Sequence, residues 1–263
     1  MAFDAQDKAR QLYEARRRRV PIPPFTEADP TLGAEEGYLV QQELVRLLVA
    51  DGDRVVGHKV GLTSRPMQRM FGMDSPDYAP VLASTLHGSP AELSMSGFIA
   101  PKIEAEIVFV LGDELRGPGV SITDASRAVA GVAAAVEIVD SRIVDWRIGL
   151  ADTVADLASN GAVATSGRLV PLDRLSNMDT RLIGMVMTRN GELVDTGAGA
   201  AALGDPVGVI AWLANTLGER GVVLEAGHLI MTGALHAAAP MAAGDVFLAE
   251  FDELGPVTVR VVE

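Results

Sequence analysis

The chain has no cysteine, which excludes disulfides, thiolate metal sites and any cysteine nucleophile. Aromatic residues make up only 5%, so the core has to be built from Val, Leu, Ile, Ala and Met. Positive charge is short as well: 22 Lys and Arg face 35 Asp and Glu, a formal charge of −13. That balance argues against nucleic acid and anionic membrane as partners. It leaves a small anionic substrate open, because the local field at a site can oppose the net charge. No apolar run approaches membrane-spanning length, and no apolar leader follows the first residues. The expectation is a soluble, cytoplasmic protein. What is present is a globular composition, 48% hydrophobic over 263 residues. It suffices for one large domain, or one domain with a smaller N-terminal layer.

One stretch organises the rest, Pro101-Lys-Ile-Glu-Ala-Glu-Ile-Val-Phe-Val-Leu111. It reads as an apolar, β-branched strand bounded by Pro101 and Gly112. With a period of two, Glu104 and Glu106 leave one face while Ile103, Ala105, Ile107 and Phe109 enter a core. Like charges this close are costly unless a cation neutralises them or one takes up a proton. About thirty residues on, Ala135-Val-Glu-Ile-Val-Asp140 places Glu137 alone inside a second apolar strand. Three glutamates on two strands suit a hard divalent cation, Mg²⁺, Mn²⁺ or Ca²⁺. The alternative is a solvated strand face for Glu104 and Glu106, with Glu137 ending an edge strand.

Upstream, Phe3 to Arg19 reads as an amphipathic helix whose four terminal arginines face the negative end of its dipole; an anion-binding patch is the other reading. Thr31 is expected to cap a second helix through Tyr38, Leu39, Gln42, Leu44, Val45 and Leu48. Lys59 lies in a short apolar strand between Gly57 and Gly61, glycines that allow another group to come close. The plainer reading is a snorkelling lysine on an edge strand. Arg65 to Met73 is expected to be a short helix or turn. Asp74 to Pro80 is expected to be irregular, with Asp77 either a site acid or a turn residue. Downstream, Ser121 to Ala135 reads as a helix, and Asn190-Gly191 between apolar runs as a hairpin turn. Pro206 opens a helix, Gly227 to Ala234 is a buried strand, and Gly244 starts a last hairpin. A strand-rich second half with a few helices gives an α+β class with a large curved or rolled sheet.

Several of these segments together resemble the 2-hydroxypentadienoate hydratases and 4-oxalocrotonate decarboxylases of the fumarylacetoacetate hydrolase superfamily. They are Gly57-His-Lys-Val-Gly-Leu-Thr-Ser, Pro76-Asp-Tyr, Pro101-Lys-Ile-Glu-Ala-Glu-Ile, Val136-Glu-Ile-Val-Asp-Ser-Arg-Ile, Asp145-Trp, Asp152-Thr-Val-Ala-Asp and Thr232-Gly-Ala-Leu. The resemblance implies a rolled, mixed β-sheet catalytic domain over 86–263 and a helical N-terminal region over 1–85. It implies Mg²⁺ or Mn²⁺ on Glu104, Glu106 and Glu137, and acid–base work by Lys59 with Asp77. Ser159, Thr232 and Gly233 are expected to meet the carboxylate of a small 2-hydroxydienoate or 2-oxo acid, with a helix cap as the duller role for Ser159. The reaction implied is hydration of 2-hydroxypenta-2,4-dienoate or a 5-alkyl homologue, in meta-cleavage catabolism of aromatics or steroids. Decarboxylation of 2-oxo-hex-3-enedioate is the first alternative, and a silent partner subunit the remote one. A homo-oligomer is expected, associated with a downstream aldolase or the sister enzyme. Leu157, Ala79 and His236 depart from the family pattern and bear on substrate range.

Overall fold

The computed structural model describes residues 3–64, 68–69, 75–176 and 179–263. The expected turn over 65–73 lies outside them, apart from 68 and 69. Three helices come first: α1 (Ala5–Arg18), α2 (Phe25–Ala28) and α3 (Ala34–Ala50). Asp4 caps α1 through its side chain, and three arginines occupy its last turn. Thr31 does not cap α3. Its backbone N–H and hydroxyl both donate to Asp29 Oδ1, and the helix starts three residues later behind Gly33, whose N–H donates to Glu36. The apolar stripe of α1 (Ala9, Leu12) meets Val40 and Leu44 of α3 in a small core of their own.

Two sheets follow. The larger runs in the order β2 (Asp77–Leu82), β1 (Val55–Gly61), β10 (Leu229–Ala234), β5 (Lys102–Leu111), β6 (Val129–Val139), β7 (Asn160–Thr165), β3 (Leu86–Gly88), with β11 (Ala239–Pro240) also on β5. It is mixed: β1 with β10 and β3 with β7 are parallel, the other pairs antiparallel. The smaller sheet runs β4 (Ala91–Ser94), β13 (Gly255–Val262), β12 (Val246–Phe251), β8 (Gly184–Arg189), β9 (Glu192–Ala198). Helices α4 (Ile122–Ala128), α5 (Leu150–Ala155) and α6 (Pro206–Gly218) follow among the described residues. Ile103, Ala105, Ile107 and Phe109 of β5 pack with Phe247, Val257, Met187 and the Val209–Leu213 turn of α6 in the main core.

The helix expected over Ser121 to Ala135 stops at Ala128, and β6 begins at Val129. Three consecutive alanines favour helix locally. Pairing with β5 from Val129 to Val139 overrides that preference and buries Val132, Ala134, Val136 and Ile138 on one face. Asp77 to Pro80, expected to be irregular, belongs to β2. This strand sits at the edge of its sheet, the place where Pro80 can be tolerated without breaking a ladder. Strands on both sides of residue 85 share the larger sheet, and the purely helical layer ends at Ala50.

Gly199–Gly218 is, by length and composition, apolar enough to cross a membrane, contrary to the expectation from sequence. Half of it is buried inside the fold. A turn with left-handed Leu203 and Gly204 interrupts it, which leaves α6 only 13 residues long, short of the roughly 20 a span needs.

Candidate active site

Glu104 and Glu137 stand directly opposite each other across the β5–β6 ladder, and Glu106, opposite Ala135, is diagonal to Glu137. Side chains so paired have Cβ atoms about 4.5–5.5 Å apart, and like charges there are destabilising. One carboxylate oxygen from each of the three lies within 4.8 Å of the others. Glu106 is 1% exposed and Glu137 0%, and β6 is flanked by β5 and β7. Glu106 and Glu137 are therefore neither on a solvated face nor at a sheet edge, while Glu104 is half-buried.

Lys59 reaches the cluster from β1. Its Nζ lies 3.2 Å from Glu137 Oε2 and donates to the Ala158 carbonyl at 2.9 Å. The lysine is 4% exposed, so it does not snorkel. Both flanking glycines serve close approach. A Cβ on Gly57 would fall 2.0 Å from the Leu229 carbonyl, and one on Gly61 would fall 2.3 Å from Asp77 Oδ1 and 3.5 Å from Lys59 Nζ. Asp77 and Lys59 thus border the same gap. Asp77 is buried, and among the described residues its Oδ1 has no hydrogen-bond partner; neither does Glu137 Oε2, which has only the nearby ammonium.

The second oxygens are aimed by amides. Asn160 Nδ2 donates to Glu137 Oε1 at 2.7 Å, and the Gly233 N–H to Glu106 Oε2 at 2.9 Å. Gly233 needs its φ of +102°, and a side chain there would strike Thr63. The Thr232 hydroxyl is fully buried and donates to the Ile107 carbonyl at 2.9 Å. Ser159 caps no helix, since α5 ends at Ala155; its hydroxyl has a long contact of 3.4 Å with Thr153 Oγ1. Sequence reasoning missed Asn160 and the Ala158 carbonyl. The one local signal was an Asn between Ser159 and Gly161.

Burial and then repulsion from Glu137 push Glu104 up to about 7 and Glu106 well above the usual carboxylate range. Burial likewise raises Asp77, against the pull of Lys59. For Lys59, burial opposes the charge, but the carboxylates of Glu137, Asp77, Glu106 and Glu104 outweigh it and raise its pKa. Four acids thus face one base, and two of their buried oxygens have no hydrogen-bond partner among the described residues. All-oxygen donors with excess negative charge fit a divalent cation such as Mg²⁺ or Mn²⁺. Among the described residues no other group of three or more acidic or His side chains converges this closely.

The fumarylacetoacetate (FAA) hydrolase C-terminal family model matches residues 53–262, and the chain belongs to that family. Within it, a 2-hydroxyhexa-2,4-dienoate hydratase from Comamonas testosteroni is 37% identical over 260 residues, 98% of this chain and 97% of its own length. A 2-keto-4-pentenoate hydratase from Paraburkholderia xenovorans is 39% identical over 253 residues, 96% of this chain and 93% of its own length. Among solved structures, 4-oxalocrotonate decarboxylase from Pseudomonas putida G7, complexed with magnesium and adipate, superposes with a TM-score of 0.94 at 36% identity. That match covers 98% of this chain and 97% of the other.

Proposed function

We propose that the chain is a divalent-metal-dependent hydro-lyase. It adds water to 2-hydroxypenta-2,4-dienoate or a 5-alkyl homologue, giving a 4-hydroxy-2-oxo acid in meta-cleavage catabolism of aromatics or steroids. The observation that carries this reading is the net-negative Glu104–Glu106–Glu137 cluster, with Glu106 and Glu137 buried and Lys59 beside it, in a chain nearly collinear with hydratases. Those three glutamates would hold Mg²⁺ or Mn²⁺, leaving about three of six positions for substrate and water. A cation bound there supplies Lewis-acid polarisation of the substrate's 2-oxygen.

The chain's own groups handle orientation and protons. Asn160 and the Gly233 N–H fix the carboxylate planes of Glu137 and Glu106. Thr232 ties β10 to β5 behind them. Lys59 Nζ and Asp77 Oδ1 border one gap and carry the proton from the 2-hydroxyl to C5. They then take one from the attacking water, whose oxygen adds at C4, and return one to C3. Such positioned acid–base groups typically contribute about 10²- to 10⁴-fold. The Ser159 hydroxyl, whose contact with Thr153 Oγ1 is long, would donate to the substrate carboxylate. The floor suits a hydrocarbon-ended dienoate. Val163, Ala135 and Met231 are the cross-strand partners of Glu137, Glu106 and Lys59, on the same sheet face. Ala79 is the other cross-strand partner of Lys59, and Leu157 precedes the Ala158 carbonyl that holds Lys59 Nζ, so both stay beside the site while their side chains pack with the helical layer. His236 is engaged with the backbone, accepting from the Ala105 N–H.

One observation favours the decarboxylase as the second reading. Lys102 shares the sheet face of Glu104 and lies 4.2 Å over the Trp146 ring, with no carboxylate partner among the described residues. It could meet the far carboxylate of a dioate. Arg142 and Arg147 cannot, since Asp156 and Glu27 occupy them. A panel of dienoates followed by ultraviolet absorbance, with and without Mg²⁺, decides. Mg²⁺-dependent loss of the dienol band with formation of a 4-hydroxy-2-oxo acid is expected. Release of CO₂ from 2-oxo-hex-3-enedioate at a higher kcat/KM than any monocarboxylic dienoate would reverse the choice.

A further inference from the structure

Lys59 and Glu137 are both aimed by a turn of unusual conformation. Leu157, Ala158 and Ser159 have φ of 54°, 48° and 58°. They are three consecutive non-glycine residues in the left-handed region, which L residues other than Asn and Asp visit rarely and singly. Such a run persists only where its surroundings over-determine it. Here every carbonyl from Asp156 to Asn160 is engaged. That of Asp156 accepts from Ser159 N at 2.9 Å and Arg142 Nη2 at 2.7 Å. The Leu157 carbonyl accepts from Asn160 N, that of Ala158 from Lys59 Nζ, and that of Ser159 from Asp140 N at 2.8 Å. The Asn160 carbonyl accepts from Arg142 Nη1 at 3.1 Å.

Arg142 therefore grips both ends of the turn. Its Nε and backbone N–H close on the two carboxylate oxygens of Asp156 at 2.5 and 2.8 Å. Both side chains are almost wholly buried. We propose that the Arg142–Asp156 pair is a positioning device for the active site. By holding Asp156–Asn160 in its left-handed path, it sets the Ala158 carbonyl against Lys59 and the Asn160 amide against Glu137. The inference rests on the reading of Glu137 as a metal ligand. It requires an arginine: lysine offers no planar fork that can span Asp156 and the Asn160 carbonyl together.

The test measures Mn²⁺ binding without substrate, by electron paramagnetic resonance of the free ion, beside kcat and KM per folded molecule. Arg142→Lys is expected to weaken Mn²⁺ binding and lower kcat, each about 10- to 100-fold, the range for groups that orient metal ligands. A lone buried charge can prevent folding, so the neutral pair Arg142→Met with Asp156→Asn keeps the test open. It should fold and show the same losses. Adding Ala158→Gly to Arg142→Lys should recover part of the Mn²⁺ affinity, since glycine holds a positive φ without strain. Folded variants with parental Mn²⁺ affinity and kcat would overturn the proposal. No recovery with Ala158→Gly would overturn its strain-holding role. A parent protein that binds no Mn²⁺ would overturn the metal reading itself, and this inference with it.

Discussion

Two buried charge clusters adjoin in the chain, where Glu137 of β6 is followed shortly by Arg142, and they are built on opposite plans. Arg142 and Asp156 are one cation and one anion. Each carboxylate oxygen has a donor, and the guanidinium makes three hydrogen bonds. The Glu104, Glu106, Glu137, Asp77 and Lys59 cluster sets four acids against one ammonium and, among the described residues, leaves two buried carboxylate oxygens without hydrogen bonds. A buried charge is tolerated when it is paired and hydrogen-bonded. The balanced pair is complete as it stands and serves as scaffold. The unbalanced one is expensive by itself, and its all-oxygen donors suit a divalent cation.

That contrast can be broken most sharply at the unbalanced cluster. Glu106→Gln should lower Mg²⁺ affinity and turnover together, by more than the roughly 10- to 100-fold expected of groups that merely orient ligands. Titration of activity with Mg²⁺ checks it, and near-parental rates at limiting Mg²⁺ would refute the three-glutamate site. The same substitution should raise the melting temperature of the metal-free protein, because it removes one of several crowded acids. Lys59→Ala follows, with a rate loss of at least about 10²-fold and Mn²⁺ binding retained. A parental kcat would take lysine out of the chemistry.

At the balanced pair the sign reverses. Asp156→Asn leaves Arg142 buried and unpaired and should cost about 3–5 kcal/mol of stability, read from chemical denaturation. A stabilising effect there would erase the distinction between the two clusters.

A smaller effect is expected with pH. Glu104 holds its proton up to about 7 in the fold, against 4.5 ordinarily. Its contribution to stability is therefore whole below about pH 4.5 and is lost as pH rises through about 7. The metal-free protein should melt lower across that window, while the stabilisation by Mg²⁺, which competes with the proton, should grow. Melting curves with and without Mg²⁺ at several pH values test it, and a flat difference would count against the site. Least of all, Arg147→Ala breaks an exposed pair with Glu27 and should change stability by less than about 1 kcal/mol, with turnover unaltered.

Much of this contrast is legible from residue types, and much is not. Period-two alternation through Pro101 to Leu111 puts Glu104 and Glu106 on one face and the branched residues on the other, as β5 has them. Asn190-Gly191 turns the β8–β9 hairpin, and Pro206 opens α6. Those signals act over a few residues, where dihedral preference and side-chain direction are intrinsic. Val129 to Ala135 misleads, because its alanines favour helix until a long partner strand lies alongside. Thr31 misleads because a nearer carboxylate, that of Asp29, takes its hydroxyl.

By itself the sequence determined which groups carry charge into apolar strands, and that acids so close need a cation, a proton or solvent. Register, close approach and strain were decided only in the folded chain. Glu104 meets Glu137 through the β5–β6 ladder, and Lys59 arrives from a strand two places away. Asn160, Gly233 and the Ala158 carbonyl aim the charged groups from a left-handed turn and a positive-φ glycine. No local preference of Leu157, Ala158 or Ser159 would choose that turn. It exists because Arg142, placed by the end of β6, has paired with Asp156 beyond α5 and engaged the backbone on both sides of it.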